Sequence, residues 1–150
     1  MFDKEQFISD CREALIGDRT SRNVREVVKS AIADSSAVIR GLGEPKKGGL
    51  DMLHRSNELT VLNVLWPAGM IVMPHNHALW AVIGVYNGRE DNILWRRLPY
   101  DANGRIEAAE RGHSRRATLW HSAQMSSTQS SIPWDASPAR SMSMAAIFSP

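Results

Sequence analysis

Residues 79–86 form an unbroken apolar run rich in Val and Ile, and this run limits the folds that are open to the chain. Because Asn87-Gly88 follows at once, the pattern predicts a buried β-strand that enters a tight hairpin. Further short strands are predicted at residues 58–66, 92–98 and 105–110, with a second turn at residues 101–104. Short strands joined by tight turns are typical of an antiparallel barrel or sandwich. The centre of the chain is therefore predicted to be mainly β.

The two ends of the chain differ from this centre. Apolar residues recur at helical spacing in residues 2–15 and 24–33, which predicts two N-terminal helices, with Gly17 ending the first. Residues 125–150 hold eight serines and three prolines, and their composition predicts a poorly ordered segment. We therefore expect a helical segment at residues 1–42, a barrel at residues 50–124 and an irregular tail at residues 125–150.

Composition excludes several classes of function. The net charge is +2 and no long Lys/Arg cluster supports it, so we expect no nucleic-acid partner. No apolar run reaches the length of a membrane span and the first residues do not begin a signal peptide, so we expect a cytoplasmic protein with no membrane partner. Cys11 is the only cysteine, which excludes an internal disulfide and a Cys-rich zinc site.

His75 and His77 lie two residues apart, directly before the predicted buried strand. Alternate side chains of a strand share a face, so the two imidazoles are expected to point the same way and to bind one metal ion. Tyr86, Trp80 and Trp95 are interpreted as core or pocket-wall residues. Glu90 is a second candidate ligand, but the interpretation preferred for it is a surface charge.

Four short segments carry a resemblance to a known family: Trp66-Pro67-Ala68-Gly69, Pro74-His75-Asn76-His77, Trp80-Ala81-Val82-Ile83-Gly84-Val85 and Gly88-Arg89-Glu90. Together they resemble the first metal motif of a cupin. The likeness covers about residues 53–110 and is greatest to small bacterial cupins of the cysteine dioxygenase-like group, the thiol dioxygenases. It implies a cupin double-stranded β-helix barrel, preceded here by the two predicted helices.

The resemblance also implies a chemistry. Ordinary cupins place a glutamate four or five residues after the second histidine, where this chain has Ala81 and Val82, so it is similar to the three-histidine enzymes. These hold Fe(II) on three imidazoles and oxidise a small thiol of the cysteine or 3-mercaptopropionate type with O2 to a sulfinate. An arginine would bind the substrate carboxylate, and Arg55 and Arg97 are candidates by position, although surface arginines are the commoner interpretation.

Several alternatives stay open. Imidazole ligands discriminate weakly, so Mn, Ni or Zn are alternative metals. Cupins often pair through strands, and by this analogy a homodimer is expected. The fold also suits a cupin that holds a metal or small ligand without turnover, or an inactive product.

The third histidine of this family is missing from its expected place, where the chain reads Ser126-Ser127-Thr128. From Gln124 onward, joining the third base of each codon to the first two of the next is compatible with the family ending, including that histidine. We hypothesise that the tail is out of frame, with the slip between about residues 110 and 117. His121 is the candidate substitute ligand, and we expect impaired activity in this copy.

Overall fold

The computed structural model describes residues 1–16, 21–43, 47–75, 80–115, 118–122, 128–131 and 141–148. Three helices come first, where the sequence predicts two: α1 (Lys4–Glu13), α2 (Ser21–Ala33) and α3 (Ser35–Leu42). Asp34 separates the last two, because its side chain accepts a hydrogen bond from the backbone N–H of Ala37 at 2.9 Å and begins a new helix. No helix of these ranges is long and apolar enough to cross a membrane.

Eight strands follow in the described ranges: β1 (Gly49–Arg55), β2 (Leu59–Trp66), β3 (Ala81–Asn87), β4 (Arg89–Arg97), β5 (Ile106–Arg115), β6 (Thr118–Ser122), β7 (Thr128–Ser131) and β8 (Ser141–Phe148). They form a five-stranded sheet in the order β1-β2-β8-β3-β6 and a three-stranded sheet in the order β5-β4-β7. All the pairings are antiparallel. Contacts of β5 with β3 and β6 join the two sheets.

The predicted hairpin at Asn87-Gly88 is wrong, although the strands on both sides of it are present. β3 lies in the five-stranded sheet and β4 in the three-stranded sheet, so the chain crosses between sheets here. Gly88 has a φ of 80°, which glycine adopts at little cost. The same dipeptide therefore makes a corner instead of a hairpin. The second predicted turn, at residues 101–104, does form a hairpin between β4 and β5. The backbone N–H of Leu98 donates to the carbonyl of Arg105 at 2.9 Å across it.

The expectation of an irregular tail is wrong for two segments of it. β7 pairs with β4, and β8 lies between β2 and β3, with eight register positions on β2 from Leu59↔Phe148 to Trp66↔Ser141. Without β8 the large sheet would divide into β1-β2 and β3-β6. The alternating Ser-Met-Ser-Met of residues 141–144 is a period-two signal that the serine-rich composition hides.

The main core lies between the helices and the five-stranded sheet. A Cβ built on Gly84 of β3 would lie 2.8 Å from Val28 Cγ1 and 2.9 Å from Ile32 Cγ2, so α2 approaches β3 as closely as a glycine allows. The buried cluster is formed by Phe7, Ile8, Cys11, Val24, Val28, Ile32, Val38, Leu59, Val61, Val82 and Tyr86. β3 is thus held rigidly from its helix side, and the segment with the predicted metal ligands leads directly into it.

Candidate metal centre

His75 is partly buried and forms a single-residue β-bridge in the segment that joins β2 to β3 along the chain. Its Nδ1 lies 2.8 Å from the carbonyl oxygen of Met73. A carbonyl can only accept, so Nδ1 carries the proton and donates, and in the neutral ring Nε2 then carries the lone pair. This backbone hydrogen bond is the arrangement that commonly orients a metal-binding histidine. His75 is therefore suited to binding a metal through Nε2.

The other two predicted ligands are only partly covered by the structure. His77 lies outside the described residues, so its shared face with His75 stays a prediction. His121 is in β6, where its backbone is the register partner of Val82, and its side chain lies outside the description. Among the described residues, no group of three His, Cys, Asp or Glu side chains could hold an ion. Of the three predicted ligands, the structure describes the imidazole of His75 alone, and this imidazole is suited to the iron that the family resemblance implies.

The two candidate substrate arginines lie on different sheets. Arg55 ends β1 and is the register partner of Thr60, whereas Arg97 ends β4 and is the partner of Ile106. Both side chains are exposed. Their role in substrate binding stays a prediction, and the exposure agrees with the alternative interpretation as surface arginines.

Glu90 is not a surface charge, since only 5% of the residue is exposed. Asn92, which is 4% exposed, shares its face of β4, because alternate residues of a strand point the same way. Between them Asp91 is half-buried and accepts from Nε and Nη2 of Arg89 at 2.8 and 3.1 Å. β4 therefore has a buried polar face. In the sequence, this buried polar face is indicated by the alternation of Glu90 and Asn92. Its burial, however, depends on the corner at Gly88, which puts β4 into the three-stranded sheet.

Tyr86 is a core residue, as predicted, and is 1% exposed. Its hydroxyl donates to Asn63 Oδ1 at 2.8 Å, and the bond spans β8, which lies between β2 and β3. Burial raises the pKa of Tyr86 to about 12, with the Asn63 bond opposing the shift. The buried phenol therefore stays protonated near neutral pH and keeps donating its hydrogen bond to Asn63, which supports the sheet.

Cys11 is equally unsuited to chemistry. It is fully buried in the core, and burial raises the pKa of its thiol to about 12, with a smaller contribution from the charge of Asp10. The thiolate is the reactive form of cysteine, so this residue is inert in the folded chain.

Neither a protein-family profile nor a curated protein matches the sequence. The fold, however, is similar to solved structures of cupins. An RmlC-like cupin from Methanocaldococcus jannaschii with a double-stranded β-helix fold has a TM-score of 0.53 at 10% identity, over 70% of this chain and 84% of that one. A cupin superfamily protein from Desulfitobacterium hafniense DCB-2 has a TM-score of 0.51 at 6% identity, over 72% and 83%.

A DMSP lyase from Ruegeria pomeroyi DSS-3 is similar at a TM-score of 0.51 and 12% identity, over 68% of this chain and 47% of that one. Likeness at such low identity defines the fold and leaves the activity open. The chain has the double-stranded β-helix fold of the cupins, which confirms the predicted barrel architecture.

Proposed function

We propose that this protein is a thiol dioxygenase-like cupin that holds Fe(II) at His75 and His77 and oxidises a small thiol, with impaired turnover. The observation that carries the proposal is the hydrogen bond from His75 Nδ1 to the Met73 carbonyl, which orients the ring and leaves the lone pair of the neutral imidazole on Nε2. This bond supports His75 as a ligand whichever metal is bound.

The surroundings of β3 favour the three-histidine class over the cupins that use a glutamate. Ala81 and Val82 occupy the positions where the resemblance would place that glutamate, and both are fully buried apolar residues. No carboxylate is available from these positions. A histidine-only ligand set is therefore the one that this segment can supply.

When bound, Fe(II) supplies the redox chemistry by which one thiol and one O2 become one sulfinic acid. The chain's own residues bind the ion and orient the substrate. His75 and His77 would hold the ion, and His121 is the proposed third ligand. Arg55 and Arg97 are the proposed partners of a substrate carboxylate, through bidentate pairing. Turnover is expected to be low because Thr128 and its neighbours replace the third histidine of the family.

The test combines iron content with O2 uptake in the presence of cysteine or 3-mercaptopropionate. His75→Ala should lower the iron bound per chain and abolish the electron paramagnetic resonance signal of the nitric oxide complex. His54→Ala, which replaces a partly buried histidine of β1, is the matched control and should retain both. Equal iron in the two variants would exclude His75 as a ligand. Rapid thiol-dependent uptake would refute the impairment, and sequencing the gene across codons 110–118 tests the frameshift.

A non-catalytic cupin is the second candidate, and one observation favours it. The third histidine of the family is missing from its expected place, where the chain reads Ser126-Ser127-Thr128, and a two-histidine site leaves a metal with few protein contacts. In this case the protein would bind Fe, Mn, Ni or Zn through His75 with no thiol-dependent O2 uptake. Metal analysis after equilibration with each ion, alongside the uptake assay, separates the two candidates. Analytical ultracentrifugation tests the proposed homodimer.

A further inference from the structure

A groove with a volume of about 480 Å³ is lined by residues of α1 and α2 and of the chain just before α1. This volume lies in the range of about 300–1,000 Å³ that small-molecule sites have in proteins. Its lining residues include neither His75 nor the candidate arginines Arg55 and Arg97. The groove is therefore separate from the proposed metal centre.

The floor of the groove is apolar. The rings of Phe2 and Phe7 lie with their centroids 5.5 Å apart at an angle of 45°, and both residues line it. Val27 and Ala31 line it from α2, where residues four positions apart share a face. A ligand with a hydrocarbon chain would cover this apolar surface and remove it from water.

The same groove is acidic. Asp3, Asp10 and Glu26 all line it. Asp3 and Asp10 are seven residues apart, which is about two helical turns, so they share a side of α1 and lie about 10 Å apart along its axis. Of the described lining residues none is Lys or Arg, and the α-amino group of Met1 is their one positive charge. Charge complementarity thus favours a cation.

Each of these carboxylates keeps one oxygen for a ligand in the described contacts. Asp10 Oδ1 accepts from Gln6 Nε2 at 2.7 Å, and Asp3 Oδ1 accepts from two backbone N–H groups of α1 at 2.9 and 3.0 Å. Glu26 Oε2 lies 3.5 Å from Lys29 Nζ, with the two side chains 64% and 65% exposed. A pair so exposed is weak and leaves the Glu26 charge accessible to a bound cation.

We propose that the groove binds a linear aliphatic diamine with both amino groups protonated. One ammonium pairs with Asp3, the other pairs with Asp10 and Glu26, and the hydrocarbon chain between them lies on the apolar floor. The two positive charges offset the excess of carboxylates in the lining. An inorganic cation would gain nothing from the floor, and an anion would be repelled.

The first experiment is an NMR titration of the amide signals with hexamethylenediamine, whose length approaches the span between Asp3 and Asp10. Exposed ion pairs are weak, so a dissociation constant of about 1 mM is expected, with saturable shifts confined to α1 and α2. Hexylamine, with one charge, should bind about fivefold more weakly. Ethylenediamine, which has both charges but cannot span the groove, should also bind more weakly. Equal affinity of either compound would overturn the proposal.

The second experiment compares two substitutions in α1 that remove the same charge. Asp10→Asn, which can still accept from Gln6, should weaken hexamethylenediamine binding by about fivefold. Glu13→Gln is the matched control, because Glu13 is exposed and does not line the groove, and it should leave the affinity unchanged. Equal losses in the two variants would show unspecific attraction to an acidic surface and refute the site.

Iron content keeps this proposal distinct from the proposed function. Both variants should bind as much iron as the unchanged protein, since neither residue is a proposed metal ligand. Loss of diamine affinity in Asp10→Asn with iron retained supports the groove as a separate site. Loss of iron together with the diamine in this variant would show general damage to the fold and overturn the assignment.

Discussion

Replacing Gly84 by alanine should destabilise the fold through steric overlap with two side chains of α2. The new Cβ would lie 2.8 Å from Val28 Cγ1, 2.9 Å from Ile32 Cγ2 and 3.2 Å from Ile32 Cδ1. Val28 and Ile32 are at most 1% exposed, so neither can move into solvent. Overpacking of a filled core costs about 1–3 kcal/mol, and two contacts under 3.0 Å place Gly84→Ala near 2 kcal/mol.

A second substitution tests whether α2 is the cause. Val28→Ala alone should cost about 2 kcal/mol, because it removes two buried methyl groups and leaves a cavity. In the double variant the alanine at position 84 occupies part of that cavity. The combined loss should therefore fall short of the sum by about 1–2 kcal/mol.

The assay is urea unfolding followed by circular dichroism, with the free energy of unfolding taken from each variant. Gly104→Ala is the matched control: its φ is 67° and no atom lies within 4 Å of the built Cβ. It should cost about 1 kcal/mol through backbone strain and show no coupling to Val28→Ala. Additive losses in the Gly84 and Val28 pair would refute the close packing of α2 on β3.

Three further predictions concern the buried groups and the helix caps. Burial raises the pKa values of Cys11, from 9.0, and Tyr86, from 10.0, to about 12, so both stay protonated in the folded chain while the unfolded chain ionises. The free energy of unfolding should accordingly fall as the pH rises from about 9 to 12. Urea unfolding at several pH values should show a weaker fall for a Cys11→Ala, Tyr86→Phe variant. An equal fall in the variant and the unchanged protein would contradict the assignment. A thiol reagent should modify Cys11 only as fast as the chain unfolds, and fast labelling of the folded protein would show that α1 opens. Asp34→Ala should cost about 1 kcal/mol by removing the cap on Ala37 N–H, and urea unfolding of Asp34→Asn, which can still accept, provides the comparison.

Predictions from the sequence succeeded where a pattern repeats locally. The period of β2 and the apolar run of β3 are strong enough that both strands were found within a few residues of their observed bounds. The second turn at Asp101 was also predicted, because it depends on neighbours in sequence, and Tyr86 was assigned to the core because it continues the apolar run of β3. In these cases the types and spacing of nearby residues were sufficient to predict the structure.

The errors share a cause, which is dependence on distant partners. Asn87-Gly88 favours a change of chain direction, which can be a hairpin or a corner, and only the pairing of β3 with β6 and β8 decides between them. Glu90 was interpreted as exposed because a charge after a turn usually is, yet the corner carries it into a buried face. The serine-rich end was expected to be irregular, although β8 finds hydrogen-bonding partners on both sides.

The order of side chains along the chain determined the strands, the exclusion of a disulfide, and the presence of two imidazoles close together at residues 75 and 77. Those features follow from residue type and spacing alone. The tertiary structure decided which strand lies beside which, and with it the burial of Glu90 and Asn92. Pairing and burial are long-range properties, since their free energies come from surfaces that meet only when the chain is folded.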